Sequence, residues 1–370
     1  MSSRVYICHT FYHLYVTVMK ELNIKSTACY ENEVLGTDDC NRGKADLLLS
    51  TMSNNFGNIK KRLVQSGLFA NVYMFDEKED ITSDEVMAYH KDKGNIVSNM
   101  IQRIKYTKLL GKLQESEIPV DLKAYDDVYV FCDSDPIGYY LNYKKIPYHA
   151  LEDGLNSGLL DDQARNANRG AWGLKRFLAK LGLIFIESGY SRYCIDYEVN
   201  DISVNKKPPK NIKEVSFESM WKPLTDEGHK VIVDIFLGNA DRLLAQLDVS
   251  NYQKRCVMIL TEPLCDLDVR ERLFGDIVRE YEQDYMVIIK PHPRDLLDYE
   301  AAFPNAVVIK DRFPMEVMND IPGLEVEKLI SVITQVNCVY FAKEIEYLGM
   351  DFLDKYEDPA IHRKTEMLNL

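Results

Sequence analysis

Short apolar runs alternate with longer stretches in which apolar residues recur at helical spacing. In the first half the apolar runs predict strands at Val5–Cys8, Leu47–Ser50, Val72–Phe75, Asp127–Cys132 and Tyr148–Leu151. The helical stretches between them are Phe11–Leu22, Asn55–Leu68, Ile96–Leu113 and Pro136–Tyr143. Strands separated by helices are typical of a parallel sheet with helical crossovers.

The same alternation resumes in the second half of the chain. Strands are predicted at Val231–Leu237, Cys256–Leu260, Tyr285–Lys290, Ala306–Ile309 and Leu329–Ile333. Helices are predicted at Ala240–Leu247, Val269–Tyr281 and Tyr340–Leu348. We therefore expect an α/β protein with two Rossmann-like domains, each built on a parallel sheet.

A polar segment, Asn200–Lys213, separates the two halves and contains two prolines. Proline continues neither a helix nor a central strand, so this segment resembles a linker. We expect a domain boundary between about Asn200 and Lys230, and divide the chain into residues 1–215 and 216–370. A chain of 370 residues fits this division, since one domain takes roughly 150 residues.

Charge and composition exclude several classes of protein. There are 45 Lys and Arg residues against 58 Asp and Glu residues, and the net charge of -13 disfavours binding to nucleic acid. Neither half contains a G-x-G-x-x-G or Walker A motif, which dinucleotide oxidoreductases and P-loop kinases need. The eight cysteines lack C-x-x-C spacing and favour a reducing cytosol, so a cytoplasmic location is expected.

The first group of candidate residues is Glu152, Asp153 and Gly154, directly after the predicted strand Tyr148–Leu151. Open α/β sheets place ligands at the carboxyl ends of their strands. Two carboxylates in a partly dry cleft can raise the pKa of one of them, as a general base requires. Glycine would allow a sharp turn of the chain there. An ordinary polar turn is the alternative interpretation.

The second group follows the apolar strand Tyr285–Lys290 and reads Lys290-Pro291-His292-Pro293-Arg294. The two prolines fix the backbone around a single histidine. An imidazolium can donate a hydrogen bond to a phosphate oxygen or act as a general acid. Lys290 and Arg294 would make the neighbourhood electropositive. The alternative is a histidine held in a rigid turn by backbone hydrogen bonds.

The third group is Glu316, Ser331 and Thr334. Glu316 lies in a short helix that begins after Pro314, where a carboxylate can accept the hydroxyls of a ribose. Ser331 and Thr334 offer hydroxyls at a turn whose backbone N–H groups favour phosphate. A solvated glutamate and ordinary buried hydroxyls are the alternatives.

Taken in order, these motifs resemble those of the bacterial sialyltransferases of glycosyltransferase family 52. That family has an acidic-acidic-Gly motif, here Glu152-Asp153-Gly154, and a His-Pro motif, here His292-Pro293. It usually has two adjacent hydroxyl residues at the phosphate turn, whereas Gln335 follows Thr334 here. The resemblance implies a GT-B fold, with two Rossmann-like domains facing a central cleft, and a last helix that packs back on the N-terminal domain.

The resemblance also implies a reaction and its residues. CMP-sialic acid would be the donor, held mainly by the C-terminal half, and the acceptor a glycan of a bacterial surface polysaccharide or lipooligosaccharide. Asp153 would deprotonate the acceptor hydroxyl, with Glu152 as neighbour or substitute, and His292 would assist the departing CMP. Such a single displacement inverts the anomeric carbon. The donor-binding residues would be Gly154, Lys290, Pro293, Arg294, Glu316, Ser331 and Thr334.

Two other transferase donors and one other class of protein remain as alternatives. The donor could be of the CMP-Kdo or CDP-glycerol type, or the chain could bind a nucleotide sugar without transferring it. Neither a metal nor a cofactor besides the donor is expected. Asp133-Ser134-Asp135 matches a metal-binding D-x-D motif, but a helix N-cap is favoured. His9 and His13 are interpreted as lining or packing residues rather than zinc ligands.

One stretch, residues 172–186, mixes basic and large apolar side chains. A core helix with a basic outer face is the favoured interpretation. The alternative is an interfacial helix that contacts the inner membrane peripherally. No apolar run approaches the roughly 18 residues of a membrane span.

Overall fold

The computed structural model describes residues 3–35, 43–52, 54–77, 83–90, 92–154, 163–204, 209–238, 245, 255–293, 295–334 and 336–361. Contacts divide the chain into two compact units, Met1–Gly228 and His229–Leu370. Within the described ranges, every helix is too short or too polar to cross a membrane.

The first unit contains a parallel sheet that has seven strands in the described part of the chain. The strands are β1 (Arg4–Cys8), β2 (Asp46–Ser50), β3 (Val72–Phe75), β4 (Asp127–Phe131), β5 (Tyr148–Leu151), β6 (Cys194–Val199) and β7 (Ile212–Glu214). Their order across the sheet is β3-β2-β1-β4-β5-β6-β7, so the direction of chain progression reverses between β1 and β4. The strands predicted from the five apolar runs are confirmed as β1 to β5.

Helices connect these strands. They are α1 (Phe11–Leu35), α2 (Ile59–Ser66), α3 (Asp84–Met87), α4 (Ile96–Leu113), α5 (Pro136–Lys144), α6 (Gln163–Ala167), α7 (Trp172–Lys180) and α8 (Phe217–Trp221). Short 3-10 helices lie at Ala88–His90, Gln114–Ser116, Leu122–Ala124 and Ile202–Val204. Helix α5 begins with Pro136, which has the fixed φ that a first helical residue needs. It approaches the preceding turn so closely that a Cβ at Gly138 would lie 1.8 Å from the Asp133 carbonyl oxygen.

The apolar runs of the strands form the core of the first unit because both faces of a parallel sheet are covered. Strand β1 pairs with β2 on one side and β4 on the other, with Tyr6 opposite Leu47 and Tyr129. One core cluster joins the strands to α5 through Ile137, Tyr140 and Leu141. Burying each such side chain stabilises the fold by about 1.5–3 kcal/mol.

The second unit contains a second parallel sheet, with five strands among the described residues. The strands are β8 (Arg255–Leu260), β9 (Tyr285–Lys290), β10 (Val307–Val308), β11 (Val326–Ser331) and β12 (Ala342–Tyr347). The helices are α9 (Asp226–Phe236), α10 (Leu267–Tyr281), α11 (Tyr299–Ala302) and α12 (Met350–Leu353), with a 3-10 helix at Met315–Asp320. The order β10-β9-β8-β11-β12 again reverses next to the first strand, between β8 and β11.

Two predicted elements of the second half are wrong in type. The run Val231–Leu237 lies in α9 and not in a strand, because Ile232, Val233, Ile235 and Phe236 are buried at helical spacing. The stretch Tyr340–Leu348 forms strand β12 instead of a helix. The predicted helix Ala240–Leu247 lies outside the described residues except for residue 245.

The predicted linker Asn200–Lys213 joins β6 to β7 and so lies within the first sheet. The chain then continues into α8, where Phe217 is buried against Tyr15 of α1. Asn23 of α1 also donates a hydrogen bond of 2.7 Å to the Met220 carbonyl oxygen. Because α8 packs on α1, the compact units divide after Gly228 rather than between residues 215 and 216.

The last described helix, α12, belongs to the core of the second unit. Its Leu353 is 1% exposed and clusters with Ile330 and Val332, next to the end of β11. The predicted packing of a last helix on the N-terminal domain stays a prediction. Residues 362–370 lie outside the described residues.

Candidate active site

The candidate residues of the first unit lie at the carboxyl ends of its parallel strands. His9 follows β1, Glu77 follows β3, Asp133 follows β4 and Asp153 follows β5. These ends lie at one edge of the sheet, around the reversal between β1 and β4. Open α/β sheets bind their ligands at such a reversal.

His13 on α1 holds Asp153 through a hydrogen bond of 2.8 Å between its Nε2 and the carboxylate Oδ1. The Nδ1 atom of His13 accepts backbone N–H bonds from His9 and Thr10, at 3.0 and 3.3 Å. Because Nδ1 is an acceptor, the ring proton lies on Nε2, and Nε2 donates to Asp153. The ring also stacks on Phe131, with centroids 4.5 Å apart, so its orientation is fixed.

Burial and ionisation differ between the two partners. His13 is fully buried, and this burial lowers its pKa, which keeps the ring neutral near pH 7. The hydrogen bond from His13 lowers the pKa of Asp153, so Asp153 is ionised. The Asp153 side chain is 58% exposed. The prediction that pairing raises the pKa of the base therefore does not apply to Asp153.

Glu152 has a different environment from its neighbour. It is 6% exposed, and its Oε2 accepts the backbone N–H of Asn200 at 2.7 Å. Asn200 in turn accepts the N–H of Phe217 through its side chain. Glu152 thus secures the chain after β6, whereas Asp153 is directed to the exposed side. Gly154 does not adopt a positive φ, so no left-handed turn explains its presence.

A second histidine–carboxylate pair lies next to this one. His9 Nε2 is 2.5 Å from Glu77 Oε1 and 3.5 Å from Asp135 Oδ2. Burial lowers the pKa of His9. The hydrogen bond to Glu77 and the negative charges of Glu77 and Asp135 outweigh this effect, so the pKa of His9 is raised overall. Burial raises the pKa of Asp135 to about 6. Glu77 also accepts the N–H of Ile137 at 2.9 Å, which fixes the start of α5.

The two aspartates of the D-x-D motif, Asp133 and Asp135, also have different environments. Asp133 is 4% exposed and accepts hydrogen bonds from the Tyr148 hydroxyl at 2.8 Å and the Ser188 N–H at 2.9 Å. Burial raises its pKa to about 7. Asp135 precedes α5 but caps no N–H group with its side chain. Among the described residues, no three His, Cys, Asp or Glu side chains are arranged to hold a metal.

In the second unit, His292 lies just after β9, between Pro291 and Pro293, and all three are half-buried. Its backbone N–H donates to the Thr261 hydroxyl oxygen at 3.1 Å. Its carbonyl oxygen accepts the N–H of Asp295 at 2.9 Å. The His-Pro turn is thus fixed through its backbone. Arg294 lies outside the described residues.

Asp295 organises the surroundings of this turn. Its carboxylate accepts bonds from the Thr261 hydroxyl at 2.9 Å, the Tyr299 hydroxyl at 2.7 Å and Arg270 Nη1 at 2.6 Å. Burial raises the pKa of Asp295, but these bonds outweigh it and lower the pKa below its ordinary value. Thr261 also accepts the His292 N–H. The hydrogen bonds that link Arg270, Asp295 and Thr261 therefore fix the position of the His292 backbone.

Lys290 and Glu316 are titratable residues near the turn, and Lys290 is buried whereas Glu316 is half-buried. Lys290 is 4% exposed, and its ammonium lies 4.2 Å from the Phe313 ring centroid and 3.4 Å from the Asp311 carbonyl oxygen. Burial lowers its pKa to about 8. Burial raises the pKa of Glu316, and the Lys290 charge partly opposes that rise. Glu316 lies in the 3-10 helix after Pro314, where the sequence predicted a short helix.

Ser331 is the last residue of β11, and Thr334 lies in the loop after it, which leads to strand β12 and not to a helix. The Ser331 hydroxyl donates to the Thr334 carbonyl oxygen at 2.8 Å. Glu262, at the end of β8, accepts the backbone N–H groups of both Ile333 and Thr334. The N–H groups that were expected to meet a phosphate are thus held by this buried carboxylate.

The structure therefore brings the predicted residues together in two groups, one in each unit. Asp153 and Glu152 lie side by side in the first. In the second, Lys290 and His292 lie at the end of β9, and Ser331 and Thr334 lie at the end of β11, with β8 between these two strands. Glu316 lies in the 3-10 helix Met315–Asp320. Sequence reasoning did not find five residues that organise these groups. They are Glu77, Thr261, Glu262, Arg270 and Asp295.

The family follows from a sequence profile. The profile of glycosyltransferase family 52 matches residues 65–338, which is more than half of the chain. The chain therefore belongs to glycosyltransferase family 52. The family resemblance drawn from the motifs is confirmed.

One curated relative is an uncharacterized protein of Haemophilus influenzae, 24% identical over 212 residues. The match covers 56% of this chain, and the chain spans 63% of that relative's length.

A solved structure with a TM-score above 0.5 supports the fold, and a second is similar at a lower score. The α/β-galactoside α-2,3-sialyltransferase of the luminous marine bacterium Photobacterium phosphoreum is similar with a TM-score of 0.52 and 12% identity, over 92% of this chain and 89% of that one. The GT-B domain of a Photobacterium damselae sialyltransferase has a TM-score of 0.47 and 12% identity. That match covers 94% of this chain and 100% of the other. The predicted GT-B fold, with two parallel-sheet α/β domains, is confirmed.

Proposed function

We propose that this glycosyltransferase moves sialic acid from CMP-sialic acid to a glycan of a bacterial surface polysaccharide or lipooligosaccharide, with inversion and without a metal. The observation that carries the proposal is the Asp153–His13 pair. A buried neutral histidine holds an exposed, ionised carboxylate at the carboxyl end of a parallel strand. Cytoplasmic action of the enzyme is part of the same proposal.

Asp153 is the general base in this scheme. The acceptor hydroxyl oxygen bonds to the anomeric carbon of sialic acid while the bond from that carbon to the CMP phosphate breaks. The hydroxyl proton goes to the Asp153 carboxylate, and the bonding electron pair leaves with CMP. One displacement of this kind inverts the anomeric carbon, as in inverting glycoside hydrolysis, where an acid and a base flank the scissile bond. Glu152 supports the proposed base by fixing the chain beside it.

The second unit supplies the proposed donor site. His292, set by its backbone bonds, donates to or protonates the departing phosphate. Glu316 accepts the ribose hydroxyls, and Lys290 adds a positive charge beneath the turn. Pro293 and Arg294 complete the His-Pro segment, and Gly154 leaves room beside the base. Because Glu262 holds the N–H of Thr334, phosphate contacts at that loop rely on the Ser331 and Thr334 side chains.

A panel of donors tests the proposal. Nucleotide release is measured from CMP-sialic acid, CMP-Kdo, CDP-glycerol and UDP-N-acetylglucosamine, each with the galactoside lactose as acceptor. We expect release from CMP-sialic acid to exceed the others by at least about tenfold, because discrimination between donors reflects differential binding in the transition state.

The other outcomes identify the rival interpretations. Faster release from CMP-Kdo or CDP-glycerol would assign a different cytidine-activated donor. CMP binding without release from any donor would indicate a nucleotide-sugar-binding protein. Either result overturns the proposal.

A further inference from the structure

Helix α7 has apolar side chains on its outer face as well as on its inner one. Leu174, Phe177 and Leu181 recur at the spacing of a single helical face and are 43%, 58% and 47% exposed. Ala179, on the opposite face, is fully buried. A helix that only covers a core has polar residues on its outer face. The exposed apolar ridge formed by Leu174, Phe177 and Leu181 therefore indicates an interaction surface.

Helix α4 extends the apolar surface. Val97 and Ile101 are 69% and 50% exposed, and they share a helical face with Ile104. Ile104 packs in a small core cluster with Trp172 and Leu178 of α7. The exposed residues of the two helices therefore belong to one surface. We call it the α4–α7 face, defined by Val97, Ile101, Leu174, Phe177 and Leu181.

Positive charge surrounds this face, although the chain as a whole carries a net charge of -13. Residues 163–186 contain five basic and no acidic residues, and α4 contains four basic and no acidic residues. Arg103 of α4 reaches the Phe185 carbonyl oxygen at 3.4 Å, and its charge acts on Lys175. The nearest acidic residues in the sequence lie outside these segments: Asp92 and Glu115 flank α4, and Asp162 and Glu187 flank residues 163–186.

We propose that the α4–α7 face docks on an anionic phospholipid surface, with its apolar ridge in the interface and its basic side chains against the headgroups. Exposed Phe and Leu flanked by Lys and Arg are the composition of interfacial helices. Each basic residue near an anionic leaflet contributes about fivefold in affinity. The proposal is independent of the sugar donor.

The positive charge of the α4–α7 face also argues against a second copy of the chain as its binding partner. A symmetric dimer through this face would bring two basic surfaces together. Like charges in such a contact repel each other, whereas anionic headgroups neutralise them. The face lies in the same unit as Asp153, so docking would bring that unit to a surface where lipid-linked glycans are found.

Vesicle cosedimentation of the full chain tests the proposal. The vesicles are phosphatidylcholine alone or an equal mixture with phosphatidylglycerol. We expect binding to the mixture to be at least about tenfold tighter and to weaken as salt is added. The double variant Leu174→Ser with Phe177→Ser should weaken it by on the order of tenfold. The charge reversal Lys108→Glu with Lys180→Glu should weaken it by more than about 25-fold, because two basic residues are lost and two acidic ones are gained.

Matched controls come from α2 of the same unit. Val64 is 59% exposed and Lys61 is also exposed, and neither belongs to the α4–α7 face. Val64→Ser and Lys61→Glu should bind the mixed vesicles like the wild type. Circular dichroism checks that each variant is folded, and the charge-reversal pair changes exposed side chains only.

Three results would overturn the proposal. The first is equal binding to both kinds of vesicle, or to neither. The second is unchanged binding in both face variants. The third is a wild-type dimer that the Leu174→Ser, Phe177→Ser variant converts to a monomer, which would assign the face to a second copy of the chain.

Discussion

At the scale of single residues, the site of the first unit depends on one hydrogen bond with a determined direction. Two backbone N–H groups at His13 Nδ1 leave Nε2 as the donor to Asp153. This bond keeps the carboxylate ionised and oriented while more than half of its side chain stays exposed. His13 is therefore a positioning residue in the proposed reaction, and Asp153 is the group that meets the acceptor.

Replacing His13 by Ala should lower kcat by about 10- to 100-fold, since a hydrogen bond to a charged group contributes about 1.5–3 kcal/mol. The pKa of Asp153 should rise toward its ordinary value, because the bond that lowers it is gone. The acidic limb of the kcat–pH profile should therefore move to higher pH. His149→Ala, which removes a histidine bonded to Asp196 on the same sheet, is the control. An unshifted acidic limb in His13→Ala would contradict a positioning role.

Asp133 gives a prediction about stability. Its pKa is about 7 in the folded protein and near 3.8 when unfolded, so between these values the folded state binds more protons. The free energy of unfolding should then fall as pH rises from 4 to 7, by up to about 4 kcal/mol from this group, and level off above 7. Asp133→Asn should lack this slope. Urea unfolding of both proteins across that range measures it, and parallel curves would refute it.

The residues that sequence analysis did find are those that lie close together along the chain. Glu152 with Asp153, and Lys290 with His292, stand out because each group follows an apolar strand. His13 was noticed but interpreted as a lining or packing residue, since its partner lies 140 positions away. Glu262 and Thr334 are 72 positions apart, and only the order of strands in the sheet brings them together.

At the scale of elements, apolar runs predicted the buried strands well. Strands such as β4 and β9 are buried on both faces and so have continuous apolar sequences. The same signal failed for α9, because its apolar residues are closely spaced on a short helix. Strand β12 lies at the edge of its sheet and carries exposed charges, so its sequence resembles that of a surface helix.

The His-Pro turn depends on neighbouring elements through Thr261, at the end of β8. Thr261→Val removes the hydroxyl that bonds both Asp295 and the His292 N–H while it keeps the shape of the side chain. We expect the free energy of unfolding to fall by about 1–3 kcal/mol and CMP binding to weaken, because the proposed phosphate contact shifts. Urea unfolding and calorimetric titration with CMP measure the two effects.

Thr107→Val is the matched control for this experiment. The Thr107 hydroxyl is buried and, among the described residues, meets no hydrogen-bond partner. Its loss should therefore leave both quantities near the wild-type values. CMP affinity that stays unchanged in Thr261→Val would show that the Thr261 bonds do not position the nucleotide site.

At the scale of the whole molecule, the chain repeats one plan in two units. Each parallel sheet reverses its strand order beside its first strand, and each carries its candidate residues at the carboxyl ends near that reversal. The alternation of strands and helices predicted a parallel sheet in each unit, although β6 and β7 were not predicted and β12 was predicted as a helix. The division after Gly228 lies within the expected range Asn200–Lys230 but beyond residue 215, because the two prolines mark a loop within the first sheet and not its end.

The proposed reaction assigns proton removal to one unit and nucleotide binding to the other. The most direct measurement pairs two quantities on the same proteins: the rate of transfer from CMP-sialic acid to lactose, and the calorimetric affinity for CMP. Asp153→Asn keeps the size of the side chain and removes its ability to accept a proton. The compared variants are Asp153→Asn, Glu152→Gln and His292→Ala.

We expect Asp153→Asn to lose about 10²–10⁴ in kcat, as removal of a general base typically does, while its CMP affinity stays near wild type. Glu152→Gln should lose less activity, and His292→Ala should lose both transfer and CMP affinity. If Asp153→Asn transfers at the wild-type rate, or if it fails to bind CMP, then Asp153 is not the base and the division of roles between the units is contradicted.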